Sequence, residues 1–281
     1  MIDIHTHTTA SDGTDSPFAL VKKALSTGVT TLAITDHDST AGWQEAISAL
    51  QPQIELVLGA EISCLTTDGI SVHMLGLLFD GENVAMQQIL SDSRDTRIPR
   101  MRKMVELLRA DGINISLDDV YAATPEGATV GRPHLADALV RNGVVAGRDE
   151  AFLELLSNES KYYVTHAAPT PVDAILAIRA AGGVAVIAHP FASRRGQIIT
   201  SETFQDLFAA GLNGVEVHHR DQSAEEQRIL TAIAQDLDLV ITGASDYHGT
   251  GKLNAMAENT THPAQWEVLE AQADARRVVR V

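Results

Sequence analysis

The chain has 281 residues, of which 44% are hydrophobic and 21% charged, as is ordinary for a globular protein with a sizeable core. A single cysteine, Cys64, excludes a disulfide framework and a metal site built from several cysteines. The formal net charge of −16 disfavours broad capture of duplex nucleic acid, because an acidic surface repels a polyanion.

Short β-branched runs alternate with longer amphipathic segments along most of the chain. The first residues, MIDIHTHTTASDG, have no basic leader, and no run reaches the roughly 20 apolar residues of a membrane span, so we expect a cytoplasmic protein without membrane partners. The predicted strands are Ile2–His5, Thr31–Thr35, Ile54–Ala60, Ser71–Leu78, Val184–Ala188, Gly214–Val217 and Leu239–Thr242. The predicted helices between them are Ser16–Thr27, Thr40–Leu50, Pro171–Ala181, Glu202–Ala210 and Ala224–Leu237. This alternation predicts βα units and a mainly parallel sheet.

Residues 83–160 break the alternation, because almost all of this segment has a helical pattern. It contains the basic amphipathic stretch RIPRMRKMVELLRADG, whose basic residues are expected on a solvated helix face; they include Arg97, Arg100, Arg102 and Lys103. Three shorter helices are predicted after it, at Leu117–Ala123, Pro133–Asn142 and Asp149–Leu156. We therefore predict that residues 83–160 form a helical insert, and that residues 1–82 and 161–281 together form one barrel.

Almost every predicted strand ends on a histidine, an aspartate or a glutamate. In a (β/α) barrel the C-terminal strand ends meet at the edge that carries catalytic groups. His5 and His7 are two residues apart, so both project to the same side of an extended chain and can chelate one ion, and Asp246 and His248 repeat this spacing. A single such residue is more often structural, but many at one rim predict a metal cluster. The candidate ligands are His5, His7, Asp12, His37, Glu61, His73, His189, Asp246 and His248.

The number of candidate ligands predicts more than one ion. Nine donors exceed the capacity of a single ion, so we expect about two or three clustered divalent ions bridged by a carboxylate such as Glu61. Manganese is the first expectation, and iron or zinc would suit the same imidazole and carboxylate donors. Adjacent cations lower the pKa of a shared water, supply hydroxide near neutral pH and neutralise charge on phosphoryl oxygens, so no nucleophilic serine or cysteine is needed.

The motifs HTHTTASDG, TDHDS, GAEIS, VHMLG, AHP and SDYH resemble, in this order, those of the PHP (polymerase and histidinol phosphatase) family. The resemblance covers about residues 1–79 and 182–249. It implies an α/β fold, a distorted (β/α)7 TIM-like barrel here carrying a helical insert, and a trinuclear metal site for phosphoester hydrolysis. Carried over by position, it implies the same nine residues as ligands, with catalytic roles for Glu61, His37, Asp12 and Asp246.

Within this family, the chain is most similar to the subgroup that removes the 3′-phosphate from nucleoside 3′,5′-bisphosphates, as in the conversion of pAp to AMP. Some relatives of that subgroup trim short RNA from its 5′ end. The leading hypothesis is thus a metal-dependent phosphatase acting on a small nucleotide, with a 5′-3′ exoribonuclease on short RNA as the alternative. A histidinol-phosphate phosphatase and a non-enzymatic metal- or nucleotide-binding regulator are the remaining alternatives, and the complete ligand set disfavours the regulator.

A second group of residues is expected to bind the substrate. Arg132 and His134 begin a predicted helix of the insert, where backbone N–H groups favour an anion, so we expect the insert to act as a cap that grips the 5′-phosphate. Arg194 and Arg195 follow the AHP motif, and either guanidinium could form a fork on a phosphate. Glu216, His218 and His219 end another predicted strand and could line the pocket. The residues predicted to bind substrate are Arg132, His134, Arg194 and His219; His166 and His262 have no predicted role.

Overall fold

The computed structural model describes residues 1–165, 167–275 and 278–281. Within them, seven strands form one sheet in which each strand pairs with the next along the chain. The strands are β1 (Ile2–Asp3), β2 (Thr31–Ile34), β3 (Glu55–Leu65), β4 (Ser71–Leu77), β5 (Val184–Ala188), β6 (Gly214–His218) and β7 (Val240–Gly243). The sheet curls into a nearly closed barrel, and a parallel backbone bridge between Thr6 and Tyr247 joins its two ends. The predicted α/β barrel is confirmed.

The barrel departs from a regular βα repeat at its third and fourth strands. β3 continues beyond its predicted end at Ala60, and only residues 66–70 separate it from β4. A connection this short cannot cross over the sheet, so β4 runs antiparallel to both β3 and β5, while the other four pairings are parallel. His73, the third residue of β4, therefore pairs with Ser63 near the C-terminal end of β3.

The helices follow the predicted order, with one addition. They are α1 (Pro17–Thr27), α2 (Trp43–Ser48), α3 (Val84–Ala110), α4 (Leu117–Ala123), α5 (Arg132–Arg141), α6 (Arg148–Glu154), α7 (Pro171–Ala180), α8 (Ser201–Ala209), α9 (Ala224–Asp236) and α10 (Pro263–Ala271). α10 is not among the predicted helices, although Pro263 at its first turn and buried residues three apart, Trp266 and Leu269, signal a helix. No helix in the described part of the chain is long and apolar enough to cross a membrane.

The buried hydrophobic side chains fall into three clusters. Two of them lie around the barrel strands. The third is built entirely from residues 101–162, so the helices α4, α5 and α6 and the second half of α3 have a core of their own. The first half of α3 packs differently, because Met86 and Leu90 belong to a barrel cluster. This one helix joins both cores, and the exact division at residues 83 and 160 stays a prediction.

Candidate metal centre

The nine predicted ligands lie together at the edge of the barrel where the parallel strands end. Glu61 occupies the centre of the cluster. Its Oε1 lies 2.8 Å from His73 Nδ1 and 3.3 Å from His189 Nε2. Its Oε2 lies close to three other imidazoles, at 3.3 Å from His5 Nε2, 3.0 Å from His7 Nε2 and 3.1 Å from His37 Nδ1. The two oxygens of one carboxylate therefore face separate groups of histidines.

Two aspartates complete the cluster. Asp12 Oδ1 lies 3.3 Å from His248 Nε2, and Asp12 Oδ2 lies 3.7 Å from His37 Nε2. Asp246 Oδ1 lies 3.4 Å from His248 Nδ1 and 3.5 Å from the Nε2 atoms of both His5 and His7. Overlapping groups of possible ligand atoms lie within 4.8 Å of one another, namely His7–Asp12–His37–His248, His5–His7–Glu61, His5–His189–Glu216 and His37–Glu61–His73. The cluster can therefore hold metal ions.

Several buried polar atoms of the cluster form no hydrogen bond of suitable geometry among the described residues, although other ligand atoms lie within 3.3 Å of them. They are His37 Nδ1, Glu61 Oε2, His73 Nδ1 and His248 Nε2. Buried polar atoms are nearly always hydrogen-bonded, so four exceptions in one place need a physical reason. Imidazole nitrogens and a carboxylate oxygen directed at a shared space are the donors that divalent transition metals prefer. The residues present therefore fit a bound cation.

The carboxylates of the cluster are held in their ionised form. Burial alone would raise the pKa of Glu61, but the neighbouring imidazoles of His73 and His5 lower that pKa well below its usual range. Burial would likewise raise the pKa of Asp246, and the ammonium of Lys252 with the imidazole of His248 lowers it well below 3.8. Metal binding requires deprotonated ligands, and these carboxylates meet that requirement.

The histidines divide into two kinds. Burial lowers the pKa of His37 and His189 well below the usual value and that of His248 to about 4, so these three rings are neutral at pH 7. His5 is the reverse, because Glu61 and other carboxylates raise its pKa well above 6.5 in spite of burial. Ligation of a metal ion by His5 would therefore release a proton.

Glu216 supports the cluster from behind. It is fully buried in β6, and its Oε1 lies 3.0 Å from His5 Nδ1. Its other oxygen accepts a hydrogen bond from the backbone N–H of His189 at 2.9 Å. A carboxylate on the far nitrogen of a ligating histidine fixes the ring orientation and raises its basicity. From the sequence, Glu216 is expected only to line the pocket, whereas the structure places it against two of the candidate ligands.

Asp36 holds the loop that follows β1. Its Oδ1 accepts hydrogen bonds from the Thr8 N–H at 2.8 Å and the Ser11 hydroxyl at 2.7 Å, and its Oδ2 accepts one from the Thr8 hydroxyl at 2.7 Å. His7 and Asp12 flank these loop residues. Asp36 thus holds the loop that carries the predicted ligands His7 and Asp12, and it directly precedes a third predicted ligand, His37. Asp36 lies in the TDHDS motif, but the spacing of that motif does not indicate where the Asp36 side chain points.

The expectation that Arg97 lies on a solvated helix face is wrong. Its side chain is 10% exposed and forms an ion pair with the buried Asp38, with Arg97 Nε 3.0 Å from Asp38 Oδ2. The same guanidinium donates to the Ser63 hydroxyl at 2.8 Å, and Asp38 Oδ1 accepts from the Ser63 N–H. Because Ser63 lies in β3, these contacts tie α3 to the strand that carries Glu61.

Arg132 lies within a group of arginines at the start of α5. Its guanidinium donates to the Leu156 carbonyl at 2.9 Å and to Asn158 Oδ1 at 2.7 Å, and lies 5.3 Å from the centre of the Tyr163 ring. The guanidinium of Arg100 lies 5.2 Å from the same ring. Burial, together with the positive charge of Arg132, lowers the pKa of Arg100 to about 10. Positive charge is thus concentrated here in a chain that is acidic overall.

The other predicted substrate residues differ in their placement. His219 is buried at the cluster, with Nε2 3.3 Å from Asp246 Oδ2. His134 is buried at the start of α5, where Nδ1 accepts the Gly131 N–H at 3.0 Å and caps the helix. Arg194 is exposed, and no contact joins it to the cluster in the described residues, whereas the adjacent Arg195 donates to Asp246 Oδ2 at 2.8 Å. His166 lies outside the described residues.

Residues 3–162 match the PHP domain family. The chain belongs to this family. A curated relative, the 5′-3′ exoribonuclease of Haemophilus influenzae, is 34% identical over 247 residues, which cover 88% of this chain and 89% of that protein. The 3′,5′-nucleoside bisphosphate phosphatase of Chromobacterium violaceum is 32% identical over 252 residues, covering 89% of this chain and 88% of that protein.

A solved structure extends the likeness to the whole fold. It is that of a candidate metal-dependent phosphoesterase from Bifidobacterium adolescentis, with a TM-score of 0.92, 40% identity, and coverage of 97% of this chain and 96% of that chain. Together with the family match, this likeness confirms the PHP resemblance and the barrel fold. The chain is a phosphoesterase of the PHP family, which argues against the non-enzymatic regulator.

Proposed function

We propose that this PHP phosphoesterase removes the 3′-phosphate of nucleoside 3′,5′-bisphosphates. The reaction would use about two or three divalent ions, and manganese is the ion expected first. The observation that carries the proposal is the arginine group beside the cluster. Arg97 donates to the Val130 carbonyl just before α5, and Arg100 and Arg132 lie against the same Tyr163 ring. Among the described residues, Asp38 is the one carboxylate that forms an ion pair with these three guanidinium groups. A metal cluster accepts almost any phosphomonoester, so a second cationic site is what would select a substrate with a second phosphate.

The chain's own residues have separable tasks in this proposal. The nine residues of the cluster would hold the ions, which supply Lewis-acid activation of water and of the phosphoryl oxygens. Glu61 offers its two oxygens to two different groups of histidines, the arrangement needed to share a carboxylate between neighbouring ions. Glu216 orients His5 through its Nδ1. Arg132 would bind the 5′-phosphate through its guanidinium.

A 5′-3′ exoribonuclease acting on short RNA is the second candidate. The Haemophilus influenzae relative with that name is 34% identical over most of the chain, and the same cluster and arginine group could hold the terminal nucleotide of an RNA. The net charge of −16 favours the small nucleotide over a long polyanion.

Turnover of a panel of substrates tests the proposal, measured as release of inorganic phosphate for the phosphomonoesters and as release of nucleoside monophosphates for the RNA. With added manganese, we expect the highest kcat/KM for adenosine 3′,5′-bisphosphate, above adenosine 3′-monophosphate, histidinol phosphate and a short 5′-phosphorylated RNA. A higher kcat/KM for the short RNA would favour the exoribonuclease. Equal values for the bisphosphate and the 3′-monophosphate would overturn the second anion site.

Removal of the ions is expected to destabilise the fold. Four buried cluster atoms form no hydrogen bond of suitable geometry in the described chain, and a bound ion would give them a partner. An ion present at about 100 times its dissociation constant stabilises the native state by about 2.7 kcal/mol, which corresponds to a shift of about 5 °C in Tm. Differential scanning fluorimetry of chelator-treated protein, with and without added Mn²⁺, measures this shift. Equal Tm values with and without Mn²⁺ would contradict metal binding by the folded cluster. Ca²⁺ at the same concentration is the control, because it is a hard cation that prefers oxygen donors.

A further inference from the structure

The two oxygens of Asp246 face different surroundings. Oδ1 is directed at the histidines of the cluster. Oδ2 contacts two permanent cations, at 2.8 Å from Arg195 Nη2 and 2.9 Å from Lys252 Nζ, as well as His219 Nε2 at 3.3 Å. The Asp246 side chain is 1% exposed, whereas those of Arg195 and Lys252 are 32% and 31% exposed. The two cations therefore lie where the buried cluster meets solvent.

Arg195 and Lys252 are not equivalent. The guanidinium of Arg195 is held between two carboxylates, because its Nε donates to Asp221 Oδ2 at 2.6 Å and its Nη2 donates to Asp246. Lys252 donates to Asp246 alone among the residues that the structure describes. An ammonium has three N–H donors, so two remain for a ligand that arrives from solvent.

The backbone before Lys252 is fixed in place. Residues Gly249–Gly251 form one 3-10 turn after the ligand His248, and the Thr250 N–H donates to Thr14 Oγ1 at 2.8 Å. Gly249 has a φ of +68°, and a Cβ there would lie 2.0 Å from Thr14 Oγ1, so the turn requires glycine. A Cβ at Gly251 would lie 2.3 Å from Arg148 Nη1.

Arg148, a residue of the insert, contacts the same turn. It forms an ion pair with Asp137 in α5, and its Nη1 donates to the carbonyl oxygens of Gly251 at 3.4 Å and Asp12 at 3.3 Å. The turn is therefore held by the loop after β1 and by the helices of the insert together. Lys252 is presented to the cluster by a rigid support, as a preorganised electrostatic group requires.

We propose that Lys252 binds a non-bridging oxygen of the phosphoryl group that is hydrolysed at the cluster. The inference rests on the proposed role of the nine residues as metal ligands, but not on the identity of the rest of the substrate. Lys252 is a compact point charge with free donors, 2.9 Å from a predicted ligand, on the exposed side of the cluster. Charge on the non-bridging oxygens is what such a group stabilises in phosphoryl transfer.

Binding of inorganic phosphate to the manganese-loaded protein tests this role. We expect Lys252→Met to weaken phosphate binding in isothermal titration calorimetry by about 10- to 100-fold, the usual value of a charge-assisted contact. The content of bound manganese should stay that of the wild type, and Lys252→Arg should recover most of the phosphate affinity. Lys103→Met, which removes an exposed lysine that also pairs with a carboxylate, is the matched control and should change neither quantity.

Two results would overturn the inference. Unchanged phosphate affinity in Lys252→Met would show that the ammonium does not contact the ligand. A loss of manganese in Lys252→Met would show that Lys252 only positions Asp246. Because inorganic phosphate is the probe, either result leaves the substrate panel as a separate test of the proposed function.

Discussion

Glu61→Gln is expected to lower kcat for phosphoester hydrolysis by on the order of 100-fold or more, as for the loss of a preorganised electrostatic group. Both oxygens of Glu61 lie within 3.3 Å of imidazole nitrogens of the cluster, on two sides. A neutral amide cannot hold two cations together with an oxygen on each side. The measurement is steady-state phosphate release at limiting manganese, with adenosine 3′,5′-bisphosphate as substrate.

The matched control for this variant is Glu267→Gln, which changes an exposed glutamate on α10. It should keep wild-type kcat and manganese dependence. Near-wild-type turnover of Glu61→Gln at limiting manganese would contradict the assignment of Glu61 as the shared ligand.

Arg132→Ala is expected to lower kcat/KM for a nucleoside 3′,5′-bisphosphate by about 10- to 100-fold, and hardly to change that for a 3′-monophosphate. The difference follows because only the bisphosphate has the 5′-phosphate that the guanidinium is proposed to bind. In the structure this guanidinium already donates to Leu156 and Asn158, which hold it beside the Tyr163 ring. Comparison of kcat/KM for the two substrates therefore separates recognition from support of the fold.

Arg102→Ala removes an exposed arginine of α3 and is the control, with no expected change on either substrate. Equal losses on both substrates in Arg132→Ala would show that Arg132 supports the fold or the metal cluster. The proposal that the insert grips the 5′-phosphate would then be dropped.

The strands and most helices could be predicted from the sequence because their signals are local. β-branched runs, glycines after helices and prolines at helix starts fix an element within a few residues. The direction of β4 is set by the short turn at 66–70, and the predicted end of the preceding strand at Ala60 hides how short that turn is. The turn also explains why His73 reaches the cluster from an early position in its strand.

The convergence of most of the nine polar residues could also be predicted, since parallel strands bring their ends to one edge. His73 is the exception, because it lies near the start of the antiparallel strand β4. The residues that pair with these nine or with their neighbours could not be predicted. Arg97 is buried because Asp38, which is 59 residues away in the chain, pairs with it, and no local pattern reports such a contact. The same holds for Lys252, whose proximity to Asp246 depends on a turn fixed by Thr14 and Arg148. Side-chain direction within the insert, at Arg132 and His134, likewise depends on tertiary packing.

The ion content of protein purified without chelator tests the central claim most directly. Elemental analysis of the active enzyme should give about two or three first-row transition ions per chain, because a single ion takes only four to six of the nine donors. At most one ion per chain in fully active enzyme would contradict a cluster of several metal ions.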